Sequence, residues 1–268
     1  MSQQQVPVVM LFAGNDPSGG AGLLADIESV ASMGCQAAPV VTALTVQNSR
    51  NVIDFEPVAT RLLIEQARAV LEDMPVAAFK VGVTGSVANI EALHTLLTDY
   101  PQIPLVLDPI LAAGGGSALS DESMRAAMID LLFPHTTVLT PNSVEARRLA
   151  PEADTLDACA HKLLDDGCEF VLITGAHEPG ERVDNRLYGE QGRIETFSWQ
   201  RLPESYHGSG CTLASAIAGL LAQGLEPFTA IHEAQQYAWE TLHHAYHLGG
   251  GQWHPNRLFW ARGDEESI

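Results

Sequence analysis

Along this chain, continuous apolar runs alternate with stretches whose apolar residues recur every three or four positions. The runs at 6–13, 36–46, 77–81, 103–107, 136–140 and 170–174 show little polar alternation, the pattern of strands buried on both faces. A short strand is predicted at 51–55. The helical pattern occupies 20–33, a stretch from Glu56-Pro57 through Leu71, 87–98, 120–131, a segment opened by Pro141-Asn142-Ser143-Val144-Glu145, and 155–166. Gly82-Val83-Thr84-Gly85-Ser86 reads as a turn that caps the helix after it. Further on, 182–188 and 193–199 read as antiparallel strands joined by Gly189-Glu190-Gln191-Gly192. Helices are predicted at 208–222 and 227–247, then coil at 249–256 and a short apolar piece at Leu258–Trp260. Strand–helix alternation predicts an α/β fold, with a mainly parallel central sheet, helices on both faces and a small antiparallel addition. With no repeat and no long linker, 1–268 reads as a single domain.

The chemistry clusters where strands end. Gly14-Asn15-Asp16-Pro17-Ser18-Gly19-Gly20-Ala21-Gly22 follows the first run, and its four glycines after Asp16 and around it fit close approach of backbone to a ligand. Gln47, Asp108, Asn142 and Thr174 stand at or just after later strand ends, where α/β sheets bind ligands. His207-Gly208-Ser209-Gly210-Cys211-Thr212 runs from a loop into the small-residue helix Leu213–Gly219. Unpaired N–H groups and the helix dipole make such a junction a site for phosphate. The same residues also suit a tight turn with a core cysteine. Leu111-Ala112-Ala113-Gly114-Gly115-Gly116-Ser117-Ala118-Leu119 reads either as a lid or as a plain linker.

Composition narrows the classes. Hydrophobic content of 46% and charged content of 18% suit a globular core. Fourteen basic against 33 acidic residues give a net charge of −19, which disfavours nucleic acid and anionic membranes as partners. No apolar run is long enough to span a bilayer. No Lys or Arg precedes the first run, so no secretory signal is expected and the cytoplasm is the expected compartment. Cys35, Cys159, Cys168 and Cys211 show no zinc spacing and are expected as free thiols. His243 and His247 have the spacing of a metal pair but no third ligand in view, and surface histidines are the simpler reading. Gly19-Gly20-Ala21-Gly22 lacks the GxGxxG spacing of dinucleotide-binding dehydrogenases.

Taken in order, six blocks carry a resemblance. They are Gly14–Gly22 with Ala25-Asp26; Thr42-Ala43-Leu44 with Gln47-Asn48; Lys80-Val81-Gly82; Leu107-Asp108-Pro109; Thr140-Pro141-Asn142 with Glu145-Ala146; and His207–Leu213. Together they resemble the hydroxymethylpyrimidine/phosphomethylpyrimidine kinases of thiamine biosynthesis, over nearly the whole chain. The resemblance implies a ribokinase-like fold, ATP as co-substrate, Mg²⁺, a small pyrimidine substrate and a homodimer. Gln47 would hydrogen-bond the aminopyrimidine, with Gly14 and Asp26 in the same pocket and Val83 and Ile110 as apolar walls. Asp108 and Glu145 would order Mg²⁺ through water. Asn142, Thr174 and Thr212 would meet the nucleotide. Gly208, Ser209, Gly210 and Cys211 would form the anion hole, with Cys211 as catalytic base, or at least as the group nearest the reacting hydroxymethyl oxygen, its thiol open to acidification by the helix N-terminus.

The pattern has departures. Thr174-Gly175-Ala176-His177 stands where the family usually has Lys-Gly-Gly-His, so a cation expected near the phosphates is missing. Ser209 replaces a commoner threonine, Asn15 a threonine or serine, and Gly114-Gly115-Gly116 a more polar lid. A pyridoxal kinase of the same fold, and a non-catalytic pyrimidine-binding protein, are the alternatives.

Overall fold

The computed structural model describes residues 6–112, 116 and 119–261. Nine strands form one sheet: β1 (Val8–Asn15), β2 (Gln36–Gln47), β3 (Val52–Pro57), β4 (Val76–Val81), β5 (Leu105–Leu107), β6 (Val138–Leu139), β7 (Phe170–Ile173), β8 (Arg182–Gly189) and β9 (Gly192–Gln200). Their order is β3-β2-β1-β4-β5-β6-β7-β8-β9. Strands β2 to β7 pair in parallel through β1 and β4. The hairpin β8–β9 adds antiparallel strands at one edge, as expected, and β3 adds one at the other.

Among the described residues eight helices flank the sheet: α1 (Gly22–Ser32), α2 (Thr60–Asp73), α3 (Val87–Asp99), α4 (Glu122–Leu131), α5 (Ser143–Leu149), α6 (Leu156–Asp165), α7 (Ser209–Ala222) and α8 (Pro227–His243). Ser86 caps α3 by accepting from Asn89 N, as the turn chemistry implied. Each face of the sheet carries its own core. Met10, Phe12, Phe79, Leu107 and Phe133 are buried on one side. Val9, Leu11, Ala13, Val106, Ile217 and Ala234 are buried on the other. Successive β1 residues therefore point to opposite cores, which is why that strand is apolar throughout.

Helix α7 is walled by small residues for a reason. A Cβ at Gly219 would lie 2.8 Å from Met33 Cβ, so α7 sits close against the end of α1. No helix among the described residues is long and apolar enough to cross a membrane.

Several boundaries differ from the sequence expectation. The fifth strand starts at Leu105, after Pro104, whose ring nitrogen has no proton to donate. Helix α8 ends at His243 rather than His247, because Tyr246 pairs antiparallel with His254. His243 stacks on Trp239, and His247 on Trp253. Of the predicted lid, Ala113, Gly114, Gly115, Ser117 and Ala118 lie outside the described residues.

Candidate active site

The strand order reverses at β1, which lies between β2 and β4, and the crevice beyond that point is where ligands bind in such sheets. Two glycine loops meet there. The first follows β1. Its Asp16 Oδ1 accepts from Ser18 N at 2.8 Å and Ser18 Oγ at 2.7 Å. Asp16 Oδ2 accepts from Ala21 N at 2.8 Å and faces His207 Nε2 at 2.8 Å. Burial pushes this carboxyl up, but its bonds to His207 and Ser18 outweigh that and hold it at about 2. The second loop precedes α7 and turns at Gly208, φ 73°. A Cβ at Gly208 would lie 2.1 Å from Gly20 O, and one at Gly20 2.1 Å from His207 Cδ2. Only glycine allows the two backbones to approach so closely.

Arg257 locks this junction from the far end of the chain. Its Nε donates to Thr212 Oγ1 at 2.8 Å, and its other nitrogens donate to the carbonyls of Gly19 and Gly20 and to Glu28. Thr212 N closes the first turn of α7 onto Gly208 O at 2.9 Å. The N–H groups of Ser209, Gly210 and Cys211 precede the first N–H with an intrahelical acceptor. They add to the positive end of the helix dipole. The loop forms part of the wall of a cavity of about 680 Å³.

Beneath the loop lies a charged cluster. Lys80 Nζ donates to both oxygens of Asp26, at 2.8 and 2.9 Å, and both side chains are fully buried. Ser215 Oγ donates to Asp26 Oδ1 at 2.7 Å. Asp108 neighbours the Cys211 thiol, and its Oδ2 is buried without a hydrogen-bond partner. Burial pushes Asp108 up to about 6, against the opposing charge of Lys80. Burial likewise pushes the Cys211 thiol up to about 12, with Lys80 opposing and the two aspartates adding. This corrects the expectation that the helix N-terminus acidifies the thiol: desolvation wins, and Cys211 is protonated at neutral pH. Glu145 is raised to about 8, first by burial and then by Asp108. Glu145 Oε2 also accepts from Asn142 N at 2.9 Å, completing a capping box with the Asn142 side chain.

Two sides of the cavity flank the anion loop. Gly14, Gln47, Val83 and Ile110 line it at the β1–β2–β4 side. Asn142, Thr174, Trp199 and Trp239 line it toward the β8–β9 hairpin and α8. Asn142 Oδ1 is committed to the N-cap of α5, accepting from Val144 N and Glu145 N. Trp199 and Trp239 stack with centroids 6.5 Å apart. Their indole N–H groups are held by Gln235 Oε1 and Gln200 O, so only ring faces and edges remain for a ligand.

Two expected site residues do not line the cavity. Asp26 lies behind Lys80, because its position on α1 points it at β4 rather than into the pocket. Thr212 is wholly buried, its hydroxyl donating to Gly208 O and accepting from Arg257. Sequence reasoning also missed three contributors. Lys80 was legible as a lysine inside an apolar strand, flanked by Phe79 and Val81. Arg148 lines the cavity one turn into α5. Arg257 carried no signal, since it stands in coil 45 residues from Thr212.

The family profile described as phosphomethylpyrimidine kinase matches residues 16–256. A hydroxymethylpyrimidine/phosphomethylpyrimidine kinase of Synechococcus elongatus is 36% identical over 255 residues, covering 92% of this chain and 95% of that one. The thiamine biosynthesis bifunctional protein ThiED of Geobacter sulfurreducens is 35% identical over 258 residues. That match takes in 94% of this chain, which spans 52% of the longer relative. The ADP complex of Bacillus subtilis pyridoxal kinase superposes with a TM-score of 0.87 at 25% identity, over 96% of this chain and 99% of that one.

Proposed function

Because the chain belongs to the phosphomethylpyrimidine kinase family, we propose that it phosphorylates 4-amino-5-hydroxymethyl-2-methylpyrimidine with ATP, and then its monophosphate, to supply the pyrimidine diphosphate of thiamine biosynthesis. One observation carries the reading: the anion loop lines a single cavity that also carries the Gln47 amide and the aromatic faces of Trp199 and Trp239. An acceptor ring at the amide and a nucleotide at the aromatic faces bring hydroxymethyl oxygen and γ-phosphate together at Gly208–Cys211.

In each step the acceptor oxygen bonds to the γ-phosphorus, the bond to the β-phosphate bridging oxygen breaks, and ADP leaves. The hydroxyl proton passes to the Asp108–Cys211 pair and on to solvent. With the thiol raised to about 12, Cys211 contributes a polarisable hydrogen-bonding group beside the acceptor oxygen, and the carboxylate of Asp108 is the stronger proton acceptor. The N–H groups of Ser209, Gly210 and Cys211 stabilise charge on the equatorial oxygens, the main demand of phosphoryl transfer. Gln47 reads the ring through one donor and one acceptor. The faces of Trp199 and Trp239 suit a purine base.

The residues present fit Mg²⁺. Asp108 has an unpartnered buried oxygen, and its charge adds to burial in raising Glu145, a repulsion that a cation between them relieves. No set of three or more His, Cys, Asp or Glu placed for a metal occurs among the described residues, which suits an ion that keeps most of its water and phosphate ligands. When bound, Mg²⁺ supplies charge neutralisation of the β- and γ-phosphates.

The backbone likeness to a pyridoxal kinase supports a second reading, phosphorylation of pyridoxal in the same pocket. A panel of hydroxymethylpyrimidine, its monophosphate and pyridoxal, with ATP and Mg²⁺, separates the two. Preferred turnover of the pyrimidines is expected. Pyridoxal turned over well above them overturns the first reading, and tight pyrimidine binding without turnover of anything favours a non-catalytic binding protein.

A further inference from the structure

We propose that Lys80 is a positioning residue for phosphoryl transfer, its ammonium aimed by Asp26 and Ser215 at Cys211 and Asp108 beneath the anion loop; this rests on the kinase reading above.

The first ground is burial. Lys80 and Asp26 are both fully enclosed. Such a pair seldom repays its desolvation in stability, and apolar residues of similar volume generally serve a core as well or better. The pair therefore calls for a role other than holding the fold.

The second ground is direction. Asp26 takes two of the three ammonium protons, at 2.8 and 2.9 Å. Its Oδ1 also receives the Ser215 hydroxyl at 2.7 Å. Ser215 lies four residues after Cys211 on α7, on the same face of that helix. The carboxylate is thus fixed on the α1 side and the ammonium on the cavity side. The space there is made by a glycine: a Cβ at position 82 would lie 2.9 Å from Lys80 Nζ.

The third ground is the company Lys80 keeps. It lines the cavity together with Asp108 and Cys211, and although burial opposes its charge, the carboxylate of Asp26 favours the protonated form. Thr174 offers no cation at the far side of the loop. Lys80 offers one from below, fixed before substrate arrives, which is how preorganised charge acts in phosphoryl transfer. Asp26, behind it, acts through Lys80 and not on the substrate.

The decisive variant is Lys80→Met/Asp26→Leu, which removes both charges at similar volume and so avoids leaving either one unpaired. Steady-state kinetics are measured with the acceptor that the wild type turns over, beside thermal melting. The expected result is an unchanged or higher melting temperature, kcat lower by about 100-fold, and KM for ATP and acceptor within about threefold of wild type. Asp26→Asn keeps the ammonium but loosens its aim, and a kcat loss of about tenfold with KM unchanged is expected. Wild-type kcat in either variant overturns the proposal, as does a rise in KM at constant kcat, which marks a ground-state binding charge. If the double variant does not fold, the pair is structural and the proposal is likewise overturned. A wild type inactive on every acceptor overturns the kinase reading itself, and is recognised in the same assay before any variant is compared.

Discussion

On the β1–β2–β4 side of the anion loop the cavity is walled by backbone and short side chains. On the β6–β9 side it is walled by long side chains carried on a hairpin and on α8. At Gly14 an added Cβ would already stand 3.8 Å from Thr45 Cγ2 and from Val83 Cβ, so a small ring meets fixed walls there. Across the loop, Trp199 and Trp239 lean on each other and are held through Gln235 and a backbone carbonyl. On the kinase reading proposed above, the difference implies that acceptors would be told apart by sterics and one amide, and a nucleotide held through aromatic area. Errors on the first side should be costly, and on the second side gradual.

Four substitutions break or sharpen this contrast, from the largest expected effect to the smallest. Gly208→Ala puts a Cβ 2.1 Å from Gly20 O in a left-handed turn, which must part the two loops. The expected loss in kcat/KM is about 100-fold or more, and activity within tenfold of wild type would mean the junction yields. Asp16→Asn weakens the clasp to His207. The folded carboxyl lies at about 2 against 3.8 for a free one, so the ionised form adds about 2 kcal/mol above pH about 4, a contribution lost as pH falls toward 2. Urea titration at pH 7 and pH 2.5 checks it: the gap between wild type and variant should narrow in acid. Gln47→Ala should raise the pyrimidine KM by about 20-fold and leave the ATP KM alone, since this half-buried amide supplies both a donor and an acceptor. Trp199→Ala should raise the ATP KM by about fivefold to tenfold with acceptor KM unchanged. Equal changes in both KM values for either of the last two variants would erase the division between the sides.

Much of the frame was legible in advance. The nine strands and eight helices among the described residues have counterparts in the apolar pattern, most clearly the central strands β1, β5, β6 and β7, which are buried on both faces. Gln47, Asp108, Asn142 and Thr174 came to one edge because strand ends in a parallel sheet do so. The directions of single side chains were not legible. Asp26 sits among Leu23, Leu24, Ala25 and Ile27, and no periodicity says that it faces Lys80. The thiol's protonation depended on burial at the bottom of the cluster, which a loop sequence does not disclose. Thr174 stands where the resemblance implied a lysine. Its consequence could not be weighed until Lys80 and Arg148 were seen to line the same cavity.

Arg257 has a consequence for the order of events in folding. It is 238 residues from Gly19 in sequence, yet it donates to that carbonyl and to its neighbour's. On a chain made from its N-terminus, the first glycine loop emerges early and waits while every strand and helix of the sheet is added. Only when residue 257 arrives can the loop, Thr212 and the start of α7 be fastened together. Such long-range closures are slow steps in folding. Sheet formation should therefore precede competence to bind phosphate, with the anion site the last part of the molecule to take shape. Pulse-labelled hydrogen exchange during refolding would register this as late protection of Ser209–Thr212, and simultaneous protection with β1 would contradict it.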